Sequence, residues 1–294
     1  MIKKGVYAAT LSVLDENGSL NVNETISHAE NIIAKGLHGV FFFGSTGQSQ
    51  LISMAEKKEL VSKLPLSKFK KNFHLGTGCN SVKETIEFIK YSLEYDFQNF
   101  LIMPPAYYKG NTEAGVFEFY SKIIKETPKA KIILYNFEKL SGFKFEANFV
   151  KKLVEAFPKN IIGCKDSTYN LYENLKIKDF LIFPGDESKL LKGLEIGCAG
   201  CISAIANVTH RLAREVFDNF EKNKTQTSNE KLITVRHVFD NYNLISSLHS
   251  FMSIENPKFK NLLPPLTLLS SDDNKELLKK LENLKFGLNN NIAA

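Results

Sequence analysis

A single lysine stands at the end of an apolar run in the middle of the chain. Lys165 closes the run IIGCK and is followed by Asp-Ser, and the run has the length and apolar content of a buried strand. Alternation along such a strand would put Ile161, Gly163 and Lys165 on one face, with open space beside the amine at Gly163. A neutral lysine amine adds to ketones and forms imines, and burial favours the neutral form. The alternative interpretation is a lysine whose stem packs at a strand end while its ammonium group reaches water.

Hydroxyl groups follow three other apolar runs. Ser45 and Thr46 lie in GSTGQS, directly after residues 40–43, and the N–H and hydroxyl donors of such a glycine-flanked turn suit a carboxylate. The turn lacks the lysine of a nucleotide-binding phosphate loop. Tyr107 follows residues 100–103, and Tyr135 ends the run 132–135. A phenol both gives and accepts a proton, although a tyrosine at a strand end is more often an interfacial core residue.

Eight short apolar runs of this kind recur, with segments of helical periodicity between them. They cover residues 5–10, 40–43, 73–76, 100–103, 132–135, 161–165, 181–183 and 201–204. Helix signals between them include the capping boxes Ser53/Glu56 and Ser81/Glu84, and a stop at Gly36. Eight alternations predict a parallel sheet closed into a (β/α)8 TIM barrel, with an open doubly wound sheet as the alternative. Barrel enzymes place their catalytic groups at the C-terminal ends of the strands, where the residues above stand.

The strand signals stop after Asn207, and three further helices are predicted over residues 208–222, 231–251 and 274–289. We therefore predict a TIM barrel with a C-terminal helical extension. The barrel, residues 1–222, carries the active site, and residues 223–294 form the helical region.

Composition narrows the choice of partners and compartment. The net charge of +6 comes from lysine, because Arg211, Arg214 and Arg236 are the only arginines. The chain has no cluster of arginines and aromatic residues of the kind that indicates nucleic-acid binding. No apolar run is long enough to span a membrane. Four cysteines do not make a disulfide framework, and reduced thiols are typical of a cytoplasmic protein. The six histidines lack metal-ligand spacing, and Cys198-x-x-Cys201 is interpreted as structural, so no metal is expected.

Ordered motifs along the chain resemble those of the dihydrodipicolinate synthase and N-acetylneuraminate lyase family, which are pyruvate-dependent class I aldolases. The motifs are GSTGQS, GTGCNS, PPAYYK, IILYN, IIGCKDS, FPGDE and GCISAIAN. The resemblance implies that Lys165 forms the imine, that Tyr135 is the acid/base, and that Thr46 or its neighbour relays a proton toward Tyr107, which in this family can reach across a subunit interface. It implies substrate contacts from Ser45, Thr46, Gly47, Gly185, Asp186, Glu187, Ile202 and Ser203.

The same resemblance implies substrates, assembly and cofactors. A small-molecule 2-keto acid and an aldehyde would be the substrates, and a homotetramer built as a dimer of dimers would be the assembly. The covalent lysine imine would take the place of a cofactor, because an iminium withdraws electrons without a metal.

Two departures from the family pattern bear on the substrate. The synthase branch carries an arginine after the Tyr-Asn pair, which binds the aldehyde's carboxylate. Leu140 stands at that position here, and only Lys139 offers a point charge. Asp186 and Glu187 are expected to accept hydrogen bonds from sugar hydroxyls at the cavity mouth, or else to cap the next helix.

We therefore expect a Schiff-base-forming, pyruvate-dependent aldolase that acts on a 2-keto-3-deoxy sugar acid or a sialic-acid-like substrate. One alternative is a 4-hydroxy-tetrahydrodipicolinate (dihydrodipicolinate) synthase, which condenses pyruvate with aspartate semialdehyde. The other is a catalytically silent barrel that binds a keto acid, although the presence of both Lys165 and Tyr135 counts against it.

Overall fold

Eight parallel strands form a nearly closed barrel in the computed structural model, which describes residues 2–287. The strands are β1 Gly5–Ala9, β2 Gly39–Phe42, β3 Phe73–Gly76, β4 Asn99–Ile102, β5 Lys131–Asn136, β6 Ile161–Asp166, β7 Leu181–Pro184 and β8 Gly200–Ser203. From β1 to β7 each strand pairs with the next one in sequence, and β8 pairs with β1, so β7 and β8 are the two ends of the sheet. Between β7 and β8 the N–H of Ala199 donates to the carbonyl of Ile182 at 2.8 Å. The predicted (β/α)8 TIM barrel is therefore confirmed, and the open sheet is wrong.

Helices cover the outside of the strands. They are α1 Val22–Ala34, α2 Met54–Lys63, α3 Val82–Glu94, α4 Glu113–Glu126, α5 Glu138–Ser141, α6 Ala147–Ala156, α7 Leu190–Glu195 and α8 Ala206–Glu221. Ser53 and Glu56 form the predicted capping box of α2, and Gly36, with φ of +129°, follows the end of α1. The alternation is incomplete, because residues 167–180 between β6 and β7 contain no α-helix.

Three more helices follow the barrel: α9 Asn229–Asp240, α10 Leu244–Met252 and α11 Ser271–Asn283. The single helix predicted over residues 231–251 is wrong, because Asn243 interrupts it. Its side chain accepts hydrogen bonds from the N–H groups of Ile245 and Ser246, which starts α10 anew. The predicted helix 274–289 begins earlier and ends at Asn283, and residues 288 and 289 lie outside the described part of the chain. No helix within residues 2–287 has the length and apolar character that crossing a membrane requires.

Two apolar layers surround the strands. The larger lies between strands and helices. The smaller fills the barrel interior and includes Tyr7, Phe41, Leu101, Ile133, Tyr135, Phe183 and Ile202. Residues directly opposite each other in neighbouring strands share a face, so the residues that pair with this interior layer also point inward.

The pairing of β5 with β6 decides which β6 side chains face inward. Tyr135 pairs with Lys165 and Ile133 with Gly163, but a register shift between Ile132 and Ile133 places Ile161 in the outer layer. Strict alternation therefore fails at Ile161. The open space expected at Gly163 is also absent, because a Cβ there would lie 2.5 Å from the carbonyl oxygen of Leu181.

Candidate active site

The amine of Lys165 lies against the phenol of Tyr135 inside the barrel. Its Nζ is 3.4 Å from the Tyr135 hydroxyl and 4.4 Å from the centre of the ring. The two side chains are only 4% and 5% exposed. The amine is thus buried and within reach of a proton donor and acceptor, as imine formation requires.

Ser45 extends this contact toward the loop after β2. Its Oγ lies 3.0 Å from the Tyr135 hydroxyl, so hydroxyl groups connect the amine to the turn Ser45–Gly47. Thr46 and Gly47 are buried in the same turn. Gly47 permits a close approach of the chain, because a Cβ there would lie 2.8 Å from the carbonyl of Thr10. The predicted carboxylate-binding turn therefore lies next to the Lys165–Tyr135 pair.

A cavity of about 130 Å³ opens at this position, lined among others by Ser45, Thr77, Leu101, Met103, Tyr135 and Leu140. A water molecule occupies roughly 30 Å³ of liquid, so the cavity suits a ligand of a few heavy atoms. A larger cavity, about 690 Å³, lies at the opposite, N-terminal end of the strands and contains none of the predicted site residues. Barrel chemistry takes place at the C-terminal end, which favours the smaller cavity.

Buried hydrogen bonds fix the ends of β5 and β6 beside the site. Asn136 follows Tyr135, and its Nδ2 donates to Oδ1 of Asp166, which follows Lys165, at 2.8 Å. The Asp166 carboxylate also accepts from backbone N–H groups of the loop beyond β6, at Thr168, Tyr169, Leu171 and Tyr172. This arrangement is not among the predicted features, although an aspartate directly after the predicted strand 161–165 is a signal for a loop-organising carboxylate.

Tyr107 lies apart from the Lys165–Tyr135 pair and does not line the cavity. It is 80% exposed in the loop after β4, and its ring packs on that of Tyr108 with centroids 5.3 Å apart. Within residues 2–287 no hydrogen bond joins it to Thr46. The resemblance places this relay across a subunit interface, so it stays a prediction.

The carboxylates after β7 do not face a substrate in the way expected. Asp186 caps the following turn by accepting from the N–H of Ser188 at 2.8 Å. Glu187 is fully buried, where it accepts hydrogen bonds from Ser203 and, at 3.0 Å, from Thr209. Burial raises the pKa of Glu187, although the charge of Arg236 acts in the opposite direction. The carboxylate of Glu187 is thus engaged by Ser203, Thr209 and Arg236, and its binding of sugar hydroxyls stays a prediction.

Arg236 of α9 completes this buried group, and it is not among the predicted site residues. Its Nη1 lies 3.3 Å from Glu187 and 3.7 Å from Asp186, while the guanidinium also binds Asp240 at 2.8 Å. A signal was present, because Arg236 lies between apolar Val235 and Phe239 on a face that packs inward.

The remaining predicted contacts line the same end of the barrel. Ile202 is buried in the interior layer. Gly185 lies against the loop after β6, where a Cβ would meet the side chain of Ser167.

Cys198 and Cys201 are free and buried. No cluster of histidine, cysteine and acidic residues within residues 2–287 could hold a metal ion.

Comparison with known proteins gives a consistent result. The model of the dihydrodipicolinate synthetase family matches residues 3–284. A 4-hydroxy-tetrahydrodipicolinate synthase of Agrobacterium fabrum is 32% identical over 218 residues, which cover 72% of this chain and 73% of that protein.

Solved structures of two differently named enzymes share the fold. Dihydrodipicolinate synthase from Agrobacterium tumefaciens has a TM-score of 0.87 at 22% identity, covering 96% of this chain and 99% of that one. Sialic acid aldolase from Ruminococcus gnavus has a TM-score of 0.85 at 18% identity, covering 96% and 98%. The fold alone therefore does not select a substrate. The sequence match over nearly the whole chain shows that this protein belongs to the dihydrodipicolinate synthetase family, as a carbon–carbon lyase of the class I aldolase type.

Proposed function

We propose that this protein condenses pyruvate with aspartate semialdehyde through an imine on Lys165, which is the activity of a 4-hydroxy-tetrahydrodipicolinate synthase. The observation that carries the imine chemistry is the 3.4 Å contact between the buried amine of Lys165 and the hydroxyl of Tyr135. The amine nitrogen bonds to the keto carbon of pyruvate, and the keto oxygen leaves as water. That oxygen needs a proton, and Tyr135 is the acid in reach.

Carbon–carbon bond formation follows from the iminium. The positive nitrogen withdraws electrons from the former pyruvate, so its methyl carbon loses a proton and becomes an enamine. The enamine carbon attacks the aldehyde carbon, and the aldehyde oxygen takes a proton. Ser45, 3.0 Å from Tyr135, extends the route by which protons reach and leave these atoms. The N–H groups and hydroxyls of the Ser45–Gly47 turn hold the pyruvate carboxylate.

The choice of acceptor rests on two observations. Relatives named 4-hydroxy-tetrahydrodipicolinate synthase cover most of the chain, one of them 90% of it at 27% identity. In addition, Glu187 is buried and paired with Arg236, which removes an argument for sugar hydroxyls as ligands. We therefore propose aspartate semialdehyde as the acceptor substrate, in place of the sugar-acid substrates that the sequence favours.

A second candidate is cleavage of a 2-keto-3-deoxy sugar acid or a sialic-acid-like substrate. Leu140 supports it, because this residue lines the cavity where the synthase branch has an arginine. The catalytically silent barrel has weaker support, since the hydroxyl of Tyr135 contacts both the amine of Lys165 and the hydroxyl of Ser45.

Borohydride trapping tests the imine. The protein is incubated with pyruvate, reduced and digested, and the modified peptide is identified by mass spectrometry. We expect one reduced pyruvate on Lys165 and none in Lys165→Ala. Lys57 is an internal control, because it is also buried but its ammonium group donates to the carbonyls of Thr77 and Gly78. Absence of an adduct, or an adduct on Lys57, contradicts the proposal.

Product analysis tests the acceptor. Pyruvate and aspartate semialdehyde should be consumed together, and faster than N-acetylneuraminate or 2-keto-3-deoxygluconate is cleaved. Faster cleavage of either sugar acid by a protein that traps pyruvate would establish the second candidate instead.

A further inference from the structure

We propose that the ammonium group of Lys109 binds a carboxylate on the aldehyde substrate, which makes Lys109 a specificity-determining residue. The inference rests on the proposed function and defines the class of its second substrate as an aldehyde that carries a carboxylate.

Lys109 lies in the loop between β4 and α4, and its exposed side chain is fixed at the edge of the cavity by hydrogen bonds to two residues that line it. The Nζ donates to the carbonyl of Ala106 at 2.7 Å and to the carbonyl of Leu140 at 2.9 Å. Ala106 and Leu140 both line the cavity that contains Ser45 and Tyr135. The ammonium group is thus held beside two of the residues that line the cavity.

Gly142 makes this placement possible. A Cβ at this position would lie 2.4 Å from Cδ of Lys109, so the lysine stem occupies the place of the missing side chain. Gly142 also ends α5 with φ of +71°, a conformation that favours glycine. The lysine therefore follows a defined path over the end of α5 toward the carbonyl of Leu140.

The chemistry of the ammonium group leaves room for an anion. Lysine has three donors and no acceptor, and two of the donors are used by neutral carbonyls. No carboxylate of residues 2–287 forms an ion pair with Lys109, so its charge is not neutralised by a partner in the described chain. The third donor and the full charge are available to a ligand at the cavity rim.

The position of the charge matches a gap in the family pattern. The resemblance implies an arginine where this chain has Leu140, and Lys109 binds the backbone of that same residue. A lysine is a point charge and lacks the bidentate fork of arginine. We therefore infer that Lys109 performs the recognition with less geometric restriction on the carboxylate.

Lys139 is the other cation beside Leu140 and serves as the control. Like Lys109 it is exposed, but within the described residues its side chain makes no hydrogen bond or ion pair. Its charge is close in sequence to the cavity but is not fixed at the rim.

The experiment compares aldehydes with and without a carboxylate. With pyruvate saturating, kcat/KM is measured for aspartate semialdehyde, succinate semialdehyde and propanal, using wild type, Lys109→Gln, Lys109→Arg and Lys139→Gln. We expect wild type to prefer the two carboxylates, and Lys109→Gln to reduce that preference at least about tenfold, the size of one charge-assisted hydrogen bond. Lys109→Arg should retain most of the preference, and Lys139→Gln should stay within about twofold of wild type.

Two results would overturn the inference: a wild type without preference for the carboxylates, or a preference that survives in Lys109→Gln. Borohydride trapping of pyruvate is measured on every variant. If trapping is intact, the proposed imine chemistry stands whatever the aldehyde preference. If Lys109→Gln loses trapping as well, Lys109 supports the fold of its loop and the inference fails.

Discussion

The amine of Lys165 and the hydroxyl of Tyr135 lie 3.4 Å apart because the two residues are direct partners across β6 and β5. The next pair along the strands, Asn136 and Asp166, is joined by a buried hydrogen bond of 2.8 Å. Asp166 also fastens the loop beyond β6. The geometry of the amine and the phenol is therefore set by paired backbone and by a buried polar group next to it.

Tyr135→Phe should reduce kcat by about 10²- to 10⁴-fold, the usual contribution of a positioned acid or base. The ring remains in the interior layer, so KM for pyruvate should change only a few-fold. Steady-state kinetics with trapping of the imine separates the two effects. Ser45→Ala removes the hydroxyl 3.0 Å away and should have a smaller effect on kcat. Equal losses in turnover and pyruvate binding in Tyr135→Phe would assign the phenol a packing role.

Arg236→Met should destabilise the protein by about 3–5 kcal/mol, because it leaves the buried carboxylate of Glu187 without its counter-charge. Urea unfolding measures the change. Combining it with Glu187→Gln should recover part of the loss, since the uncompensated charge is then gone.

An exposed ion pair provides the control. Lys90 and Glu126 lie 2.7 Å apart with side chains 51% and 57% exposed, and Lys90→Met should cost less than about 1 kcal/mol. A similar cost for Lys90→Met and Arg236→Met would contradict the assignment of a buried charge pair.

Four buried histidines predict that stability falls in acid. Burial lowers the pKa of His28, His210 and His249 to about 4 and that of His74 to about 3, from an ordinary value of 6.5. Between pH 6.5 and 4 the unfolded chain therefore binds protons that the folded chain does not. Each histidine contributes a slope of up to about 1.4 kcal/mol per pH unit, so the free energy of unfolding decreases as the pH falls. Glu187, whose pKa is raised, acts in the opposite sense but is one group against four.

Urea unfolding at pH 7, 6 and 5 checks this dependence. In the wild type the Nε2 of His28 lies 2.8 Å from Oδ1 of Asn207, and the amide of His28→Gln can keep this hydrogen bond. The variant should bind up to one proton fewer on unfolding, so its free energy of unfolding should depend less steeply on pH. The exposed His237→Gln should leave it unchanged. A free energy of unfolding that increases as the pH falls from 7 to 5 would show that these histidines are charged in the folded state.

The sequence predicted the strands well because each buried strand carries a local apolar pattern. It also predicted that Ser45, Tyr135 and Lys165 converge, because a barrel brings all C-terminal strand ends to one rim. The register shift beside Ile161 was not predictable, since it depends on how β6 pairs with β5.

Contacts between distant segments account for the other differences. Arg236 lies 49 residues from Glu187, and Lys109 lies 31 residues from Leu140. No local sequence pattern connects residues at such separations. The sequence therefore does not show that Arg236 compensates the charges of Asp186 and Glu187. The break in the helix at Asn243 was local, and the capping tendency of asparagine was a signal for it.

The position of Arg236 on α9 has a consequence for protein engineering. A graft of the eight-stranded barrel onto a foreign C-terminal segment would retain Lys165, Tyr135 and Ser45. It would, however, leave the negative charge of Glu187 without the counter-charge of Arg236. Any replacement tail must therefore deliver a cation to that place. In this chain the segments before and after residue 222 can therefore be exchanged separately only with a compensating change at Glu187.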